Sequence, residues 1–389
     1  MNEFLVDLSK RYEDELVNNV LPFWLKYGID KVNGGIYTAL DRDGSLLDTD
    51  KSVWFQGRSL WTFCTAYEKY KNPEYLAAAD SVLAFLEKHC FDPEDGRMYF
   101  KVTKEGKPVV KRIRYFFSET FAIIGFATYA RITGKTEYND KALKLLEFVE
   151  HLRTTPGLLV PKSLTPSRSF GGPMILLNVL SELRPSFPEK EEWFNTYMDK
   201  LLNEVETYFV REDLNLVLEQ CALDGSFQDT LEGRLLNPGH AIEASWFVMN
   251  EGIHREDQRL IDLGLKMLTW SFENGWDKEH GGIIQYRDAL GKSLSEYHQD
   301  MKFWWPQNEA AIATLMAYCV TKDSHWLDKF KMVDTYMKER FIDYEYGEWF
   351  GYFHKDGTRA TNIKGNFYKG PFHIPRMYLK CTELISKYF

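Results

Sequence analysis

Along the chain, stretches in which apolar residues recur three and four apart alternate with short extended segments that are rich in aromatics and run into a turn. The extended segments read NGGIYTALDRDGS from Asn33, DGRMYFKVTKEGK from Asp95, PGLLVPKSLTPSR from Pro156, LNLVLEQCALDGS from Leu214, HGGIIQYRDALGK from His280 and GEWFGYFHKDGTR from Gly347. Their starts lie 62, 61, 58, 66 and 67 residues apart. A β-hairpin signal at that period, with long amphipathic stretches between, predicts a repeat of helical pairs rather than a sandwich or a parallel sheet. Residues 58–70 and 73–89 both carry the helical period, so each repeat has room for two helices.

Six pairs closed into a ring predict an all-α fold, an (α/α)6 barrel of twelve helices with short β-hairpins at one face. The more apolar helix of each pair belongs inside, which selects the helix from Arg58 and those over 118–132, 171–183, 239–249, 307–320 and 371–385. No linker rich in Pro, Gly or Ser interrupts the pattern, so residues 1–389 are expected to form one domain.

The starts of these inner helices carry polar groups that a buried helix start does not otherwise favour. They are Arg58, Ser118 with Glu119, Asn178 slightly further along, His240 with Glu243, Glu309, and His373 with Arg376. Ring closure would gather them at one mouth. His240 and Glu243 are three apart, as are His373 and Arg376, so each pair shares a helix face. Trp54, Phe55, Trp61, Trp246, Trp304, Trp305 and Phe372 stand beside them and would supply the aromatic walls of a sugar pocket. Taken singly, each has a structural alternative: a lone buried histidine is more often a satisfied core residue, and Arg58 with Glu309 fits an internal ion pair bracing the ring. Recurrence at matching helix starts is what favours chemistry.

The formal net charge of -9 is spread along the chain without a basic run, which disfavours a nucleic-acid partner. Residues 1–20 show helical spacing rather than the continuous apolar run of a signal peptide or membrane span, so a cytoplasmic protein is expected. Five dispersed cysteines read as reduced thiols, not as a disulfide frame or zinc site. No H-E-x-x-H or G-x-G-x-x-G occurs, His298 and His354 have no metal partner at i+4, and YRDALGKS lacks the first glycine of a phosphate-binding loop. No metal is expected.

The strings WFQGRSLW (54–61), NPGHAIEASWF (237–247), WWPQNEA (304–310) and KGPFHIPR (369–376) resemble the N-acylglucosamine 2-epimerase family, in the family's order and over most of the chain. The resemblance implies an (α/α)6 barrel, usually a homodimer, that interconverts N-acetyl-D-glucosamine and N-acetyl-D-mannosamine in amino-sugar or sialic-acid metabolism. Related cellobiose 2-epimerases share the G-H-x-I-E-A element, but their Trp-Trp and final His elements read differently. The family's essential residues fall on Arg58, His240, Glu309 and His373. Glu243, Arg376, Trp54, Gln56, Trp304, Trp305, Asn178 and Glu119 are the candidates for substrate binding. No cofactor is required, and ATP is an effector in some members.

Chemically, inversion at C2 needs a base on each face of the carbon, and two histidines suit that near neutral pH. Arg58 would steady the enolate oxygen. Alternatives stay open: a related aldose 2-epimerase or an aldose–ketose isomerase acting on mannose- or glucose-type sugars, a glycoside hydrolase, and a noncatalytic protein-binding role such as renin binding in mammalian members.

Overall fold

The computed structural model describes residues 3–112, 115–159, 163, 165–296 and 298–389, so part of the third extended segment (160–162 and 164) lies outside the described residues. Its helices are α1 (Glu3–Asp14), α2 (Val53–Tyr70), α3 (Pro73–His89), α4 (Phe117–Thr133), α5 (Glu137–Thr154), α6 (Gly171–Leu183), α7 (Glu191–Tyr208), α8 (Pro238–Arg255), α9 (Gln258–Gly275), α10 (Trp304–Thr321), α11 (Ser324–Arg340) and α12 (His373–Tyr388). Wider π-helical turns, interrupted by an α-helical turn at Leu21–Phe23, carry α1 onward to Gly28.

Burial separates two rings. The even-numbered helices are buried on almost every face over their first three turns, as residues 53–64 of α2 and 304–317 of α10 show. The odd-numbered ones bury a single stripe, such as Leu260, Leu263, Gly264, Met267 and Leu268 of α9. The predicted inner helices are therefore the inner ones; four start within two residues of the expected position, while α10 starts three residues earlier and α2 five, which puts Arg58 in the second turn of α2. Where α2 runs beneath α4, a Cβ on Gly57 would come within 2.5 Å of the Phe121 backbone, so this crossing requires glycine.

Inner and outer helices are joined by a compact turn. Lys71, Glu256 and Lys322 adopt φ of 56°, 56° and 57° at the ends of α2, α8 and α10. The next residue, Asn72, Asp257 or Asp323, caps the outer helix with its side chain. The chain enters the repeat midway: α12 has no helix after it, and α1 takes that outer place, held by Arg11 and Tyr12 on Asp334 of α11. Thr62 donates to the Pro371 carbonyl at 2.5 Å and Lys69 to Thr382 at 2.9 Å, tying α2 to the last repeat and closing the ring.

The extended segments fold differently from the expectation of one hairpin per repeat. Only some fold back on themselves, as 39–40 does with 46–48 and 210–211 with 216–217. Elsewhere the strand leading into an inner helix pairs with the segment of the next repeat: 51–52 with 101–102, 167–169 with 220–222, 235–236 with 287–288 and 302–303 with 352–353. Leu40 and Gly365 complete the circuit. These strands lie edge to edge with the neighbouring repeat, which supplies the backbone partners that two-residue strands lack alone.

A buried ion pair recurs beneath them. Lys51–Asp30, Lys302–Asp277 and Lys364–Asp343 each close at 2.8 Å, with all three lysines fully buried. All five cysteines are free and buried. Among the described residues no helix is long and apolar enough to cross a membrane.

Candidate active site

His240 is the third residue of α8, whose N-cap Asn237 accepts from the His240 backbone N–H at 3.2 Å. Its Nδ1 lies 3.1 Å from each carboxylate oxygen of Glu219 and 3.0 Å from the Asn237 amide nitrogen. A carboxylate only accepts, so the Glu219 bond places a proton on Nδ1 and leaves Nε2 as the working nitrogen. The indole of Trp305 covers this ring at a centroid separation of 5.2 Å. It comes so close because residue 239 is glycine: a Cβ there would sit 2.5 Å from the indole.

The same indole also meets the second histidine. His373 opens α12, 5.7 Å from Trp305, and its Nδ1 lies 2.8 Å from Glu309 Oε1. Arg376 Nη2, a donor, also lies 3.3 Å from this Nδ1, but the carboxylate is the closer partner, so the proton sits on Nδ1 here too and Nε2 is the free nitrogen. Glu309 is fully buried and occupied on every side: Oε2 accepts from Trp246 Nε1 at 2.9 Å, and Oε1 also meets Arg376 at 2.7 Å. Arg376 pairs with Glu243 as well. Burial, reinforced by the positive charges of Arg376 and Arg58, pulls the His373 pKa well below its usual value. Its position at a helix N-terminus acts in the same direction. His373 is thus a neutral base at pH 7. The two histidines also differ in access, with side-chain exposures of 28% for His240 and 9% for His373.

Arg58 stands apart from these pairs. Its guanidinium is packed among the rings of Phe121, Phe372, Trp54 and Phe55, at 4.0, 4.9, 5.5 and 5.6 Å. Among the described residues it forms no ion pair, and its buried Nε has no partner. Burial, opposed by Glu243, brings its pKa down to about 9, so it stays charged at neutral pH. The bracing pair between Arg58 and Glu309 does not form, since Arg376 takes Glu309 instead.

Other sequence candidates divide. Gln56 is not at the site: it accepts from Ile36 N at 2.9 Å and donates to Ile36 O and Ser52 O at 3.0 and 3.1 Å, anchoring the first extended segment. Gln307 holds Ile283 in the same way. Glu119 is the counterpart in the second repeat, accepting from Met98 N at 3.0 Å beside Arg97, and Ser118 donates to Tyr99 O. These polar residues recur at helix starts because the scaffold repeats there. Asn178 is buried in α6 and takes no part in the bonds of the histidine and carboxylate cluster. Trp54 packs on Phe100, Phe117 and Phe121 below Arg58, while Trp304 meets His373 edge-on at 6.4 Å; both indole N–H groups are buried without a partner. Glu219 was not foreseen. In sequence it is one carboxylate in an extended segment, and only the pairing of 220–222 with 167–169 and the Phe170 N–H to Glu219 O bond aim it at α8.

Glu243, Glu309 and His373 present ligand atoms within 4.8 Å of one another, a spacing that would suit a metal ion. The Arg376 guanidinium already bonds both carboxylates, so the positive charge they call for is in place. Nor does 286–293 fit a nucleotide phosphate: Arg287–Asp288 is strand, and Lys292 is engaged by Asp229 at 2.8 Å. The site thus brings together two imidazoles beside one indole, each with Nδ1 on a carboxylate, and a buried cation that forms no ion pair among the described residues.

Comparison with known proteins agrees. The profile of the N-acylglucosamine 2-epimerase (GlcNAc 2-epimerase) family matches residues 34–370. The N-acylglucosamine 2-epimerase of Bos taurus is 37% identical over 95% of this chain and 89% of its own, and that of Homo sapiens 33% identical over 99% and 91%. The solved cellobiose 2-epimerase of Bacillus thermoamylovorans superposes with a TM-score of 0.85, at 23% identity, over 98% of this chain and all of its own, and so shares the fold.

Proposed function

Because the chain belongs to the N-acylglucosamine 2-epimerase family, we propose that it interconverts N-acetyl-D-glucosamine and N-acetyl-D-mannosamine by moving one proton at C2 of the open-chain sugar. The observation that carries this reading is the placing of His240 and His373 against one indole, each with Nδ1 tied to a carboxylate and Nε2 left free.

In the direction that starts on His373, its neutral Nε2 takes the C2 proton. The C–H electron pair moves into the C1 carbonyl, and the resulting enolate oxygen lies against Arg58, whose guanidinium has no competing anion. His240, which enters this direction as an imidazolium with Nδ1–H on Glu219, then gives its Nε2 proton to the opposite face of C2, the carbonyl re-forms, and the two histidines have exchanged protonation states. The reverse direction exchanges the two roles. Bonds and charge balance without an oxidant, because the aldehyde itself acidifies C2. Glu309 holds the His373 ring, and Arg376 with Glu243 holds Glu309. Trp305 offers the flat apolar surface against which a sugar carbon chain stacks.

The test is NMR of the purified protein with N-acetylmannosamine in D2O, with and without ATP. N-acetylglucosamine deuterated at C2 is expected. A ketose product would identify an isomerase, and release of a reducing end from a disaccharide a hydrolase. Absence of both product and exchange in both conditions would overturn the assignment of substrate. The family resemblance also leads us to propose a cytoplasmic homodimer, and sedimentation at the mass of a single 45.7 kDa chain would contradict that assembly.

A further inference from the structure

Resting on that reading, we infer that Glu219 is the positioning residue that sets the working tautomer of His240. The two histidines are served by carboxylates from different parts of the fold. Glu309 comes from an inner helix and shares its charge among His373, Arg376 and Trp246. Glu219 comes from an extended segment, and among the described residues its carboxylate bonds only His240, with both oxygens at 3.1 Å from Nδ1.

That contact decides the chemistry of the ring. Asn237 also faces Nδ1, through its amide nitrogen at 3.0 Å, while its oxygen is held by the His240 backbone N–H. An amide N–H and a carboxylate make opposite demands on one ring nitrogen: the first asks Nδ1 to accept, the second asks it to donate. Were Asn237 the sole partner, the proton of the neutral ring would sit on Nε2 and no lone pair would face the sugar. Glu219 reverses this, since a carboxylate is the stronger acceptor and its bond gains further when the ring becomes cationic. It therefore makes His240 a base when neutral and meets the positive charge when the ring holds the second proton.

The placement is rigid enough for the task. Glu219 O accepts from Phe170 N at 3.0 Å at the start of α6, and residues 220–222 are zipped to 167–169, so the carboxylate is carried on a strand between two inner helices. Its side chain is 12% exposed.

Glu219→Gln and Glu219→Asp, measured beside His240→Asn, test the inference. In Glu219→Gln the amide can donate to Nδ1 as Asn237 does, so kcat for epimerisation is expected to fall by about 10²-fold with KM changed less than about threefold. C2 deuterium exchange should fall with it, and the shape of the pH–rate profile should change. Glu219→Asp keeps the charge and should recover part of the loss. Unchanged kcat and pH profile in Glu219→Gln would overturn the inference, as would a variant that no longer folds, because the residue would then act on structure alone. Failure of the wild-type protein to epimerise the sugar is a different result, which sinks the proposed function and not the Glu219–His240 linkage.

Discussion

Glu309→Gln isolates the most heavily used carboxylate of the site. Glu309 receives three donors, His373 Nδ1 at 2.8 Å, Arg376 at 2.7 Å and Trp246 Nε1 at 2.9 Å. Glutamine has one accepting oxygen and one NH2 group, so it cannot serve all three. With its oxygen toward His373 and Arg376, the NH2 confronts the Trp246 N–H, and an unpaired buried donor costs about 1–3 kcal/mol. Turned over, it satisfies Trp246 but points NH2 at Arg376 and at Nδ1, moving the ring proton to Nε2. Either way one negative charge leaves a buried group in which Glu243 and Glu309 both pair with Arg376. Breaking such a group costs about 3–5 kcal/mol, the expected drop in unfolding free energy in urea. The catalytic loss should reach about 10²–10⁴-fold in kcat, read by C2 deuteration in D2O. Glu243→Gln is the control: it makes the same change of charge but touches only Arg376, so stability should fall comparably while kcat stays within about tenfold of wild type. Equal loss of kcat in the two variants would refute the reasoning, because net charge and not the Nδ1 bond would then govern the rate.

Three further outcomes are expected. Arg58→Met removes a buried cation that has no protein partner and fills the aromatic slot, so stability should hold or rise by about 1–2 kcal/mol while kcat/KM falls about 10²–10³-fold; a clear loss of stability in denaturant would mean that Arg58 braces the ring after all. Gln56→Ala leaves the Ile36 N–H and C=O unmet, which should cost about 2–3 kcal/mol with kcat kept within about twofold, and a collapse of kcat in a stable variant would return Gln56 to the substrate. The His373 pKa is lowered on folding, so below its unfolded value of about 6.5 the unfolded chain takes up a proton that the folded one refuses. The stability this residue contributes is complete above that pH and declines as pH falls toward the folded value, by up to about 1.4 kcal/mol per unit. Urea titrations at about pH 7.5 and about pH 5.5 should therefore show wild type losing more than His373→Asn, and parallel losses would contradict the assigned environment.

The repeat made most of the architecture legible. Helical periods and the recurring extended segments are local signals, and each is repeated often enough for ring closure to follow. The same repetition misled the reading of Gln56 and Glu119. A polar residue at an inner helix start marks either the site or the clamp on an extended segment, and spacing along the chain is the same for both. Strand partners were hidden for a related reason: two-residue strands carry too little side-chain pattern to show that 51–52 pairs with 101–102 in the next repeat.

By itself the sequence singled out His240, His373, Arg58 and Glu309 as candidates and indicated that a ring of helices would gather them. Which of them touch was settled by tertiary structure alone. Arg376 rather than Arg58 takes Glu309, Glu219 reaches His240 from the extended segment ahead of α8, and Trp305 comes close to both histidines, against His240 because Gly239 leaves room. Helix formation and burial stripes follow from neighbours within a few residues. Hydrogen-bond partners and charge balance depend on distances of a few ångströms between segments 21 to 133 residues apart, and those distances exist only once the ring has closed.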